Sequence, residues 1–167
     1  MKKILILVFY LFFFNNLAKA VVEVDITRGN LDPLPIAISP LYLEPGSLDI
    51  KIDDEIIKNV GEEISKVIEV NFKRSGLFNP LKKDSFVQTP DIAHIKPRFE
   101  DWRLIKAQAL VTGKVTVTDN KIRTEFRLWD VVAAKEMLAL AFSTTPDNWR
   151  RVAHIISDKI YERLTGE

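Results

Sequence analysis

Alternating apolar and polar positions mark the segment at residues 21–32. Its apolar positions are Val22, Val24 and Ile26, and its polar positions are Glu23, Asp25 and Thr27. This period of two predicts a β-strand with one apolar face. The sequence Asp32-Pro33-Leu34-Pro35 follows it. Because prolines fix their own backbone and extend the residue before them, these four residues predict a short stiff joint that sets the strand apart from the rest of the chain.

The longest amphipathic pattern predicts a helix over residues 53–75, because its apolar positions recur every three or four residues. The acids Asp53-Asp54-Glu55 stand where the dipole of such a helix favours negative charge. Gly76 follows as a residue that accepts a positive φ, which indicates the end of the helix. Gly61 lowers helix stability relative to alanine, and we expect close packing to be the reason for it.

A second long helix is predicted from Pro146 to about Leu164, with Thr145 as its N-cap. Between the two long helices the pattern is weaker. Residues 77–81 predict a turn, residues 82–98 have little periodicity and predict a loop, and residues 99–108 predict a short helix.

The period changes to two over a long stretch of the second half of the chain. Strands are predicted over residues 109–118, 121–130 and 136–144, joined by short turns, and together they form an antiparallel meander. An earlier strand is predicted over residues 36–42. With the two long helices, these strands predict an α/β (α+β) fold, a two-layer sandwich. We expect a mixed five-stranded sheet covered on one face by the two main helices.

A secretory signal peptide is predicted at residues 1–20. It has a basic start, an apolar run at residues 4–14 and a small-residue end at Ala18 and Ala20, which predicts cleavage before Val21. The apolar run is shorter than the roughly 20 residues that span a bilayer, so we expect no membrane insertion after cleavage. We therefore expect an exported protein.

Composition narrows the classes of protein further. The 167 residues include no cysteine, which excludes a lipid-modified cysteine and a disulfide framework. Removing residues 1–20 takes away Lys2, Lys3 and Lys19 and no acids, so 21 Lys and Arg remain beside 23 Asp and Glu. A nucleic-acid partner is not expected, because such proteins carry a basic excess. Residues 33–167 suit one domain.

The sequence contains no group of residues that we would identify as a catalytic site. His154 and Asp158 could share one helical turn as a minimal hydrolase pair, and His94 lies in the predicted loop without a nearby nucleophile. Two such groups do not make a metal site, which needs three or four ligands. We therefore predict no enzyme, no metal and no cofactor.

The tryptophan residues suggest an alternative function. Trp102, Trp129 and Trp149 could line a pocket for a small ligand or a cell-wall fragment, which would make the chain a periplasmic binding domain. Their apolar spacing also suits ordinary core positions. Two tryptophans exposed together in one cleft would favour the ligand.

Two longer motifs resemble a known family. The sequence Ser75-Gly76-Leu77-Phe78-Asn79-Pro80-Leu81 follows the first helix, and Asp158-Lys159-Ile160-Tyr161-Glu162-Arg163-Leu164-Thr165-Gly166 closes the last. In this order and spacing they resemble the N-terminal domain of the TolB family, the periplasmic component of the Tol-Pal system. The resemblance covers essentially all of residues 21–167.

The resemblance implies a non-enzymatic adaptor that supports outer-membrane integrity and cell division. Family members contact the periplasmic C-terminal domain of TolA through the mature N-terminal segment, a contact that colicins exploit in some bacteria. Carried over to this chain, the expected partner-binding residues are Val22, Glu23, Val24, Asp25, Ile26, Thr27, Arg28, Gly29, Asn30, Leu31 and Asp32. Apart from the resemblance, an alternating strand behind a stiff joint suits strand addition to a partner. Pairing within its own sheet stays open as the alternative.

In the family, the domain is followed by a six-bladed β-propeller that contacts the lipoprotein Pal. This sequence stops at Glu167, and we interpret it as a truncated or split TolB. Pal is then expected as a partner only if a separate propeller is supplied. A monomer is expected.

Overall fold

A mixed sheet forms the centre of the computed structural model, which describes residues 32–52 and 55–166. Its strands are β1 (Leu34–Ile38), β2 (Tyr42–Leu43), β5 (Phe78–Pro80), β6 (Ala109–Thr118), β7 (Lys121–Asp130) and β8 (Lys135–Thr144). The order across the sheet is β5-β1-β6-β7-β8, and β2 continues beside β6 where β1 stops. β1 is parallel to β5 and β6, whereas β6, β7 and β8 form the predicted antiparallel meander. The predicted mixed α/β architecture is confirmed, but the sheet has six strands among the described residues where five were predicted.

The predicted strand over residues 36–42 is broken in two. β1 ends at Ile38 and β2 begins at Tyr42, with Pro40 in the gap. At the other end β1 starts at Leu34, whose amide donates to the Leu77 carbonyl at 2.9 Å. The stiff joint predicted over residues 32–35 is therefore too long, because Leu34 and Pro35 already belong to the sheet.

The predicted start of the first long helix is wrong. Residues before it form the antiparallel hairpin of β3 (Ile50–Ile52) and β4 (Glu55–Ile57), and helix α1 spans Val60–Ser75. Asn59 is its N-cap, and its side-chain oxygen accepts from the Glu62 amide at 3.1 Å. The acids of the first turn are consequently Glu62 and Glu63. The isoleucine spacing matched a helical period, but hairpin pairing with β3 takes β4 out of the helix.

The predicted end of α1 is confirmed, and the turn predicted after it is corrected. Gly76 caps α1 with a φ of 71°, in the left-handed region that favours glycine. Residues 78–80, predicted as part of a turn, instead form β5, with Phe78 opposite Leu34 in the parallel register. Phe78 is buried beneath α1, where its ring lies 4.8 Å from that of Phe72. The side chain of Phe78 thus anchors this short edge strand to the main core.

The two main helices cover one face of the sheet. A 3₁₀ turn at Pro146–Asn148 leads into helix α4, which spans Trp149–Thr165 and packs beside α1. The main core lies between these helices and the sheet, and its buried members include Ile36, Ile64, Ile68, Phe72, Val111, Phe126, Ile156 and Ile160. Among the described residues, no helix combines the length and apolar character that a membrane crossing requires.

The opposite face is partly covered by a segment that the sequence predicted only as loop and one helix. It contains a 3₁₀ turn at Lys83–Ser85 and the short helices α2 (Pro90–Ala93) and α3 (Phe99–Leu104). The helix predicted over residues 99–108 ends early because Lys106 adopts a φ of 62°, outside the helical region. A second, smaller core forms here around Trp102, Leu110 and Val131.

Candidate interaction surface

Most of the predicted partner-binding segment lies outside the described residues. Val22, Glu23, Val24, Asp25, Ile26, Thr27, Arg28, Gly29, Asn30 and Leu31 belong to this group, as do Ala18, Ala20 and Val21 of the predicted cleavage site. Asp32 is described, and it is exposed together with Pro33. Leu34, two residues later, is buried in β1 between β5 and β6. The structure therefore defines where the segment is attached.

A polar face occupies the side of the sheet opposite α1 and α4, beyond the smaller core. It is formed by alternate residues of neighbouring strands, which share a face because side chains on a strand alternate with a period of two. Thr112, Lys114 and Thr116 come from β6, and Arg123, Glu125 and Arg127 lie opposite them on β7. We call these six residues the polar face.

The best-connected carboxylate on this side is Glu44, in the loop after β2. Its two oxygens accept from Lys114 Nζ at 2.7 Å and from Thr116 Oγ1 at 2.9 Å. Its amide donates to the Val115 carbonyl at 2.9 Å, so backbone and side chain both attach the loop to β6. The hydrogen bond from Lys114, followed by that from Thr116, holds the pKa of Glu44 below its ordinary value. The same contact raises the pKa of Lys114.

The remaining charges of the polar face are also paired. Arg123 lies 3.0 Å from Glu125, and Arg127 lies 3.2 Å from Glu136 on β8. Arg127 Nη1 additionally donates to the His94 carbonyl at 3.1 Å, which joins the β7 strand to the loop after α2. Counted together with Glu44 and Glu136, which lie beside the polar face, its three cations meet three carboxylates, so this side of the sheet carries no net excess of one sign.

An open groove of about 490 Å³ crosses the polar face. One wall is formed by His94 and Ile95, and its other lining residues include Lys114, Glu125, Arg127, Ala139 and Ala141. The His94 ring stacks on Tyr42 with centroids 4.5 Å apart, and its Nδ1 lies 3.0 Å from the Pro90 carbonyl. His94 is thus a packing residue of the wall. The groove is open to solvent, and its lining combines charged side chains with alanine and leucine.

The minimal hydrolase pair is not assembled. His154 is exposed, and its Nδ1 lies 3.0 Å from the Asn71 side-chain nitrogen. Asn71 also donates to Ser157 at 2.9 Å, and the Ser157 hydroxyl donates to the Ala153 carbonyl. These contacts join α1 to α4. Asp158 is exposed on the helix, away from the groove.

The three tryptophans do not share a cleft. Trp102 and Trp149 are each 1% exposed and belong to the two cores on opposite faces of the sheet. Trp129 is half-buried, and its Nε1 donates to Thr112 Oγ1 at 2.9 Å. The feature that would have favoured a small-ligand pocket is therefore absent from this part of the chain. Within residues 32–52 and 55–166, no group of three or more His, Asp or Glu side chains is placed to hold a metal ion.

The polar face shows what sequence reasoning missed. Glu44 and Lys114 are separated by 70 positions, and no local pattern connects them. The period of two in β6 and β7 does place Lys114 on the same face as Glu125. It could not indicate that the loop after β2 brings a carboxylate to that face.

Comparison with known proteins identifies the family to which this chain is similar. A family model described as the TolB amino-terminal domain matches residues 22–137. The Tol-Pal system protein TolB of Pelagibacter ubique (strain HTCC1062) is 64% identical over 155 residues, which cover 90% of this chain and 34% of that relative. The chain therefore spans about a third of the length of this curated relative.

Solved structures share the same fold. A crystal structure of TolB from Acinetobacter baumannii superimposes with a TM-score of 0.63 at 21% identity, over 87% of this chain and 32% of that one. The hypothetical protein CT253 from Chlamydia trachomatis has a TM-score of 0.53 at 12% identity, over 81% of this chain and 100% of that one. At these identities the similarity concerns the fold alone.

Proposed function

The chain belongs to the TolB amino-terminal domain family, and on that premise we propose that it is a non-enzymatic, protein-binding component of a Tol-Pal system. Residues 1–20 direct its export and are removed before Val21, which places the mature chain in the periplasm. There it supports outer-membrane integrity and cell division by binding the periplasmic C-terminal domain of TolA. Residues 22–32 make that contact.

The observation that carries the proposal is the point where this segment is attached. Leu34 is held in the sheet by its hydrogen bond to the Leu77 carbonyl, and both edges of β1 are already paired. Asp32 and Pro33, immediately before it, are exposed. A segment attached at an exposed point of a rigid sheet can reach a partner without disturbing the core.

Strand addition explains how such a segment would bind. Its alternation presents Val22, Val24 and Ile26 on one face, and its backbone can complete the edge of a sheet in the partner. Main-chain hydrogen bonds then supply affinity, while the alternate side chains supply specificity. Trp102 and Trp149 are each 1% exposed, so the ligand-binding alternative has no site among the described residues. The hydrolase alternative has none either, because His154 contacts Asn71 and the His154–Asp158 pair is not assembled.

The test is deletion of residues 22–32 followed by calorimetric titration with the C-terminal periplasmic domain of TolA from the same organism. We expect the parent chain to bind and the deletion variant to release no binding heat. The deletion variant should unfold at the same temperature as the parent, because β1 begins after the deleted residues.

Two point variants separate strand addition from a purely electrostatic contact. Val24→Pro removes a backbone donor and should weaken binding strongly, whereas the matched variant Glu23→Gln on the polar side should keep most of the affinity. A deletion variant that binds TolA as tightly as the parent chain would show that residues 22–32 are not the binding segment.

A further inference from the structure

Strand β1 begins close to where both of its neighbours in the sheet begin. Its first residue, Leu34, lies opposite Phe78, the first residue of β5. Ile36 lies opposite Ala109, the first residue of β6. A strand can be extended only where a neighbouring chain continues beside it and has backbone groups available for pairing. The residues just before β5 and β6 therefore decide whether residues 22–32 can lengthen β1.

On the β5 side, the preceding chain turns away at the end of α1. Gly76 adopts a φ of 71°, and the Leu77 amide donates to the Ser75 side-chain oxygen at 3.3 Å. The Leu77 carbonyl already accepts from the Leu34 amide at 2.9 Å. Since alternate residues of a strand face the same neighbour, the next bond on this side would join the Leu77 amide to the Asp32 carbonyl. That amide is occupied, so the ladder ends at Leu34.

On the β6 side, the preceding chain turns away at the end of α3. Lys106 adopts a φ of 62°, and its amide donates to the Arg103 carbonyl at 2.9 Å. The Ala107 amide likewise donates to the Trp102 carbonyl at 3.0 Å. These two backbone donors are therefore used to close the end of α3, and neither is available to a longer β1.

Pro33 and Pro35 are directed to this same side. The Pro35 carbonyl accepts from the Gln108 amide at 2.9 Å, so residue 35 faces β6. By the alternation of the strand, the backbone of Pro33 is directed to that side too. Because proline has no backbone N–H, neither residue can donate a hydrogen bond to the chain that leads into β6. The ladder therefore stops on this side as well.

The two outer edges of the sheet are poorly suited to hold the segment. β5 has three residues and ends at Pro80. At β8, the register with β7 shifts between Leu128 and Trp129, and the Met137 carbonyl accepts from Arg163 Nε of α4 at 3.3 Å. A register shift and a covering side chain both limit the pairing of an edge with a further strand.

From these contacts we propose that the described part of the sheet offers residues 22–32 no place to pair, so that the domain does not compete with TolA for this segment. The inference rests on the proposed function and concerns the regulation of the same contact. A segment held by its own domain binds a partner more weakly, in proportion to the fraction of molecules in which it is released. In this chain the segment is available in every molecule, and the affinity for TolA equals that of residues 22–32 alone.

The first experiment compares two ligands of the TolA domain by calorimetry: the chain of residues 21–167 and a synthetic peptide of residues 21–36. We expect dissociation constants that agree within about threefold, because the domain withholds nothing. A peptide that binds about tenfold more tightly than the chain would overturn the proposal, since the domain would then be holding the segment. If neither ligand binds, the proposed function is wrong, and the second experiment decides the present inference without TolA.

The second experiment is limited digestion with trypsin. Arg28 is the only basic residue within residues 21–36, so trypsin cuts this stretch at one place. We expect cleavage after Arg28 in the folded chain at a rate within about threefold of that in the peptide, since proteolysis follows the population of the accessible form. Arg123, in the paired strand β7, is the internal control for folding and should resist cleavage. Cleavage after Arg28 that is about tenfold slower in the chain than in the peptide overturns the proposal.

Discussion

At the scale of single residues, Gly61 shows why α1 can lie directly on the sheet. A Cβ at this position would overlap the carbonyl oxygen of Leu41 in the gap between β1 and β2. Four residues later, the buried Ser65 hydroxyl accepts from the Leu41 amide at 2.9 Å and donates to the Gly61 carbonyl at 3.0 Å. The close packing that the sequence suggested for Gly61 is confirmed, and its cost is small because the residue lies in the first turn of α1.

We expect Gly61→Ala to destabilise the protein by about 1–3 kcal/mol, since the added methyl group meets backbone that cannot move aside. Urea unfolding followed by circular dichroism measures this change in the free energy of unfolding. Val70→Ala, at an exposed position of the same helix, serves as the control and should stay within about 0.5 kcal/mol of the parent. A Gly61→Ala variant as stable as its control would contradict the packing argument.

At the scale of elements, one buried amide organises the segment of short helices on the second face. Gln88 is 3% exposed, and its Oε1 accepts from Trp102 Nε1 at 3.0 Å and from the Arg98 amide at 2.9 Å. It thereby joins the chain before α2 to the start of α3 and to the centre of the smaller core. The conformation of residues 82–98 is held by side-chain contacts such as these and not by a regular ladder of backbone hydrogen bonds. Their sequence therefore shows no regular spacing of apolar residues.

Gln88→Leu should lower the free energy of unfolding by about 1–3 kcal/mol, because the buried Trp102 donor loses its acceptor. Gln108→Leu is the matched control, since that glutamine is exposed just before β6. Thermal unfolding gives the stability, and hydrogen exchange should show faster exchange in α2 and α3 but not in α1. Unchanged exchange in α2 and α3 would mean that Gln88 does not hold this segment.

At the scale of the whole molecule, the sheet is buried most deeply where its two faces are both covered. Ala109, Leu110 and Val111 of β6 are each 0% exposed, because the main core packs on one side and the smaller core on the other. In the described part of the chain, β3 and β4 form a separate two-stranded sheet, which is attached to the main core through the side chains of Ile50 and Ile57. Stability should therefore fall from the centre of the sheet towards the hairpin.

Hydrogen exchange monitored by mass spectrometry should follow this gradient. Peptides from β6 and β7, which have neighbours on both sides, should exchange slowest, and peptides from β3 and β4 should exchange fastest among the strands. Equal protection of the hairpin and of β6 would contradict the gradient. The comparison needs no variant, because the two regions serve as controls for each other.

Local patterns by themselves determined the regular parts of the molecule. The strands β6, β7 and β8 and helix α4 lie close to the predicted ranges, because each has a sustained period and ends at a turn or a glycine. Gly76 ends α1 as predicted, because the end of this helix has a left-handed backbone conformation that glycine adopts readily. The mixed α/β class follows from these elements.

Only the tertiary structure decided the short elements and the contacts of the candidate surface. Residues 55–57 became a strand because β3 pairs with them, and residues 78–80 became a strand because β1 lies alongside. Glu44 meets Lys114 through a strand order that no local period encodes. The physical reason is the same in each case: a partner distant in sequence supplies the hydrogen bonds that choose the conformation.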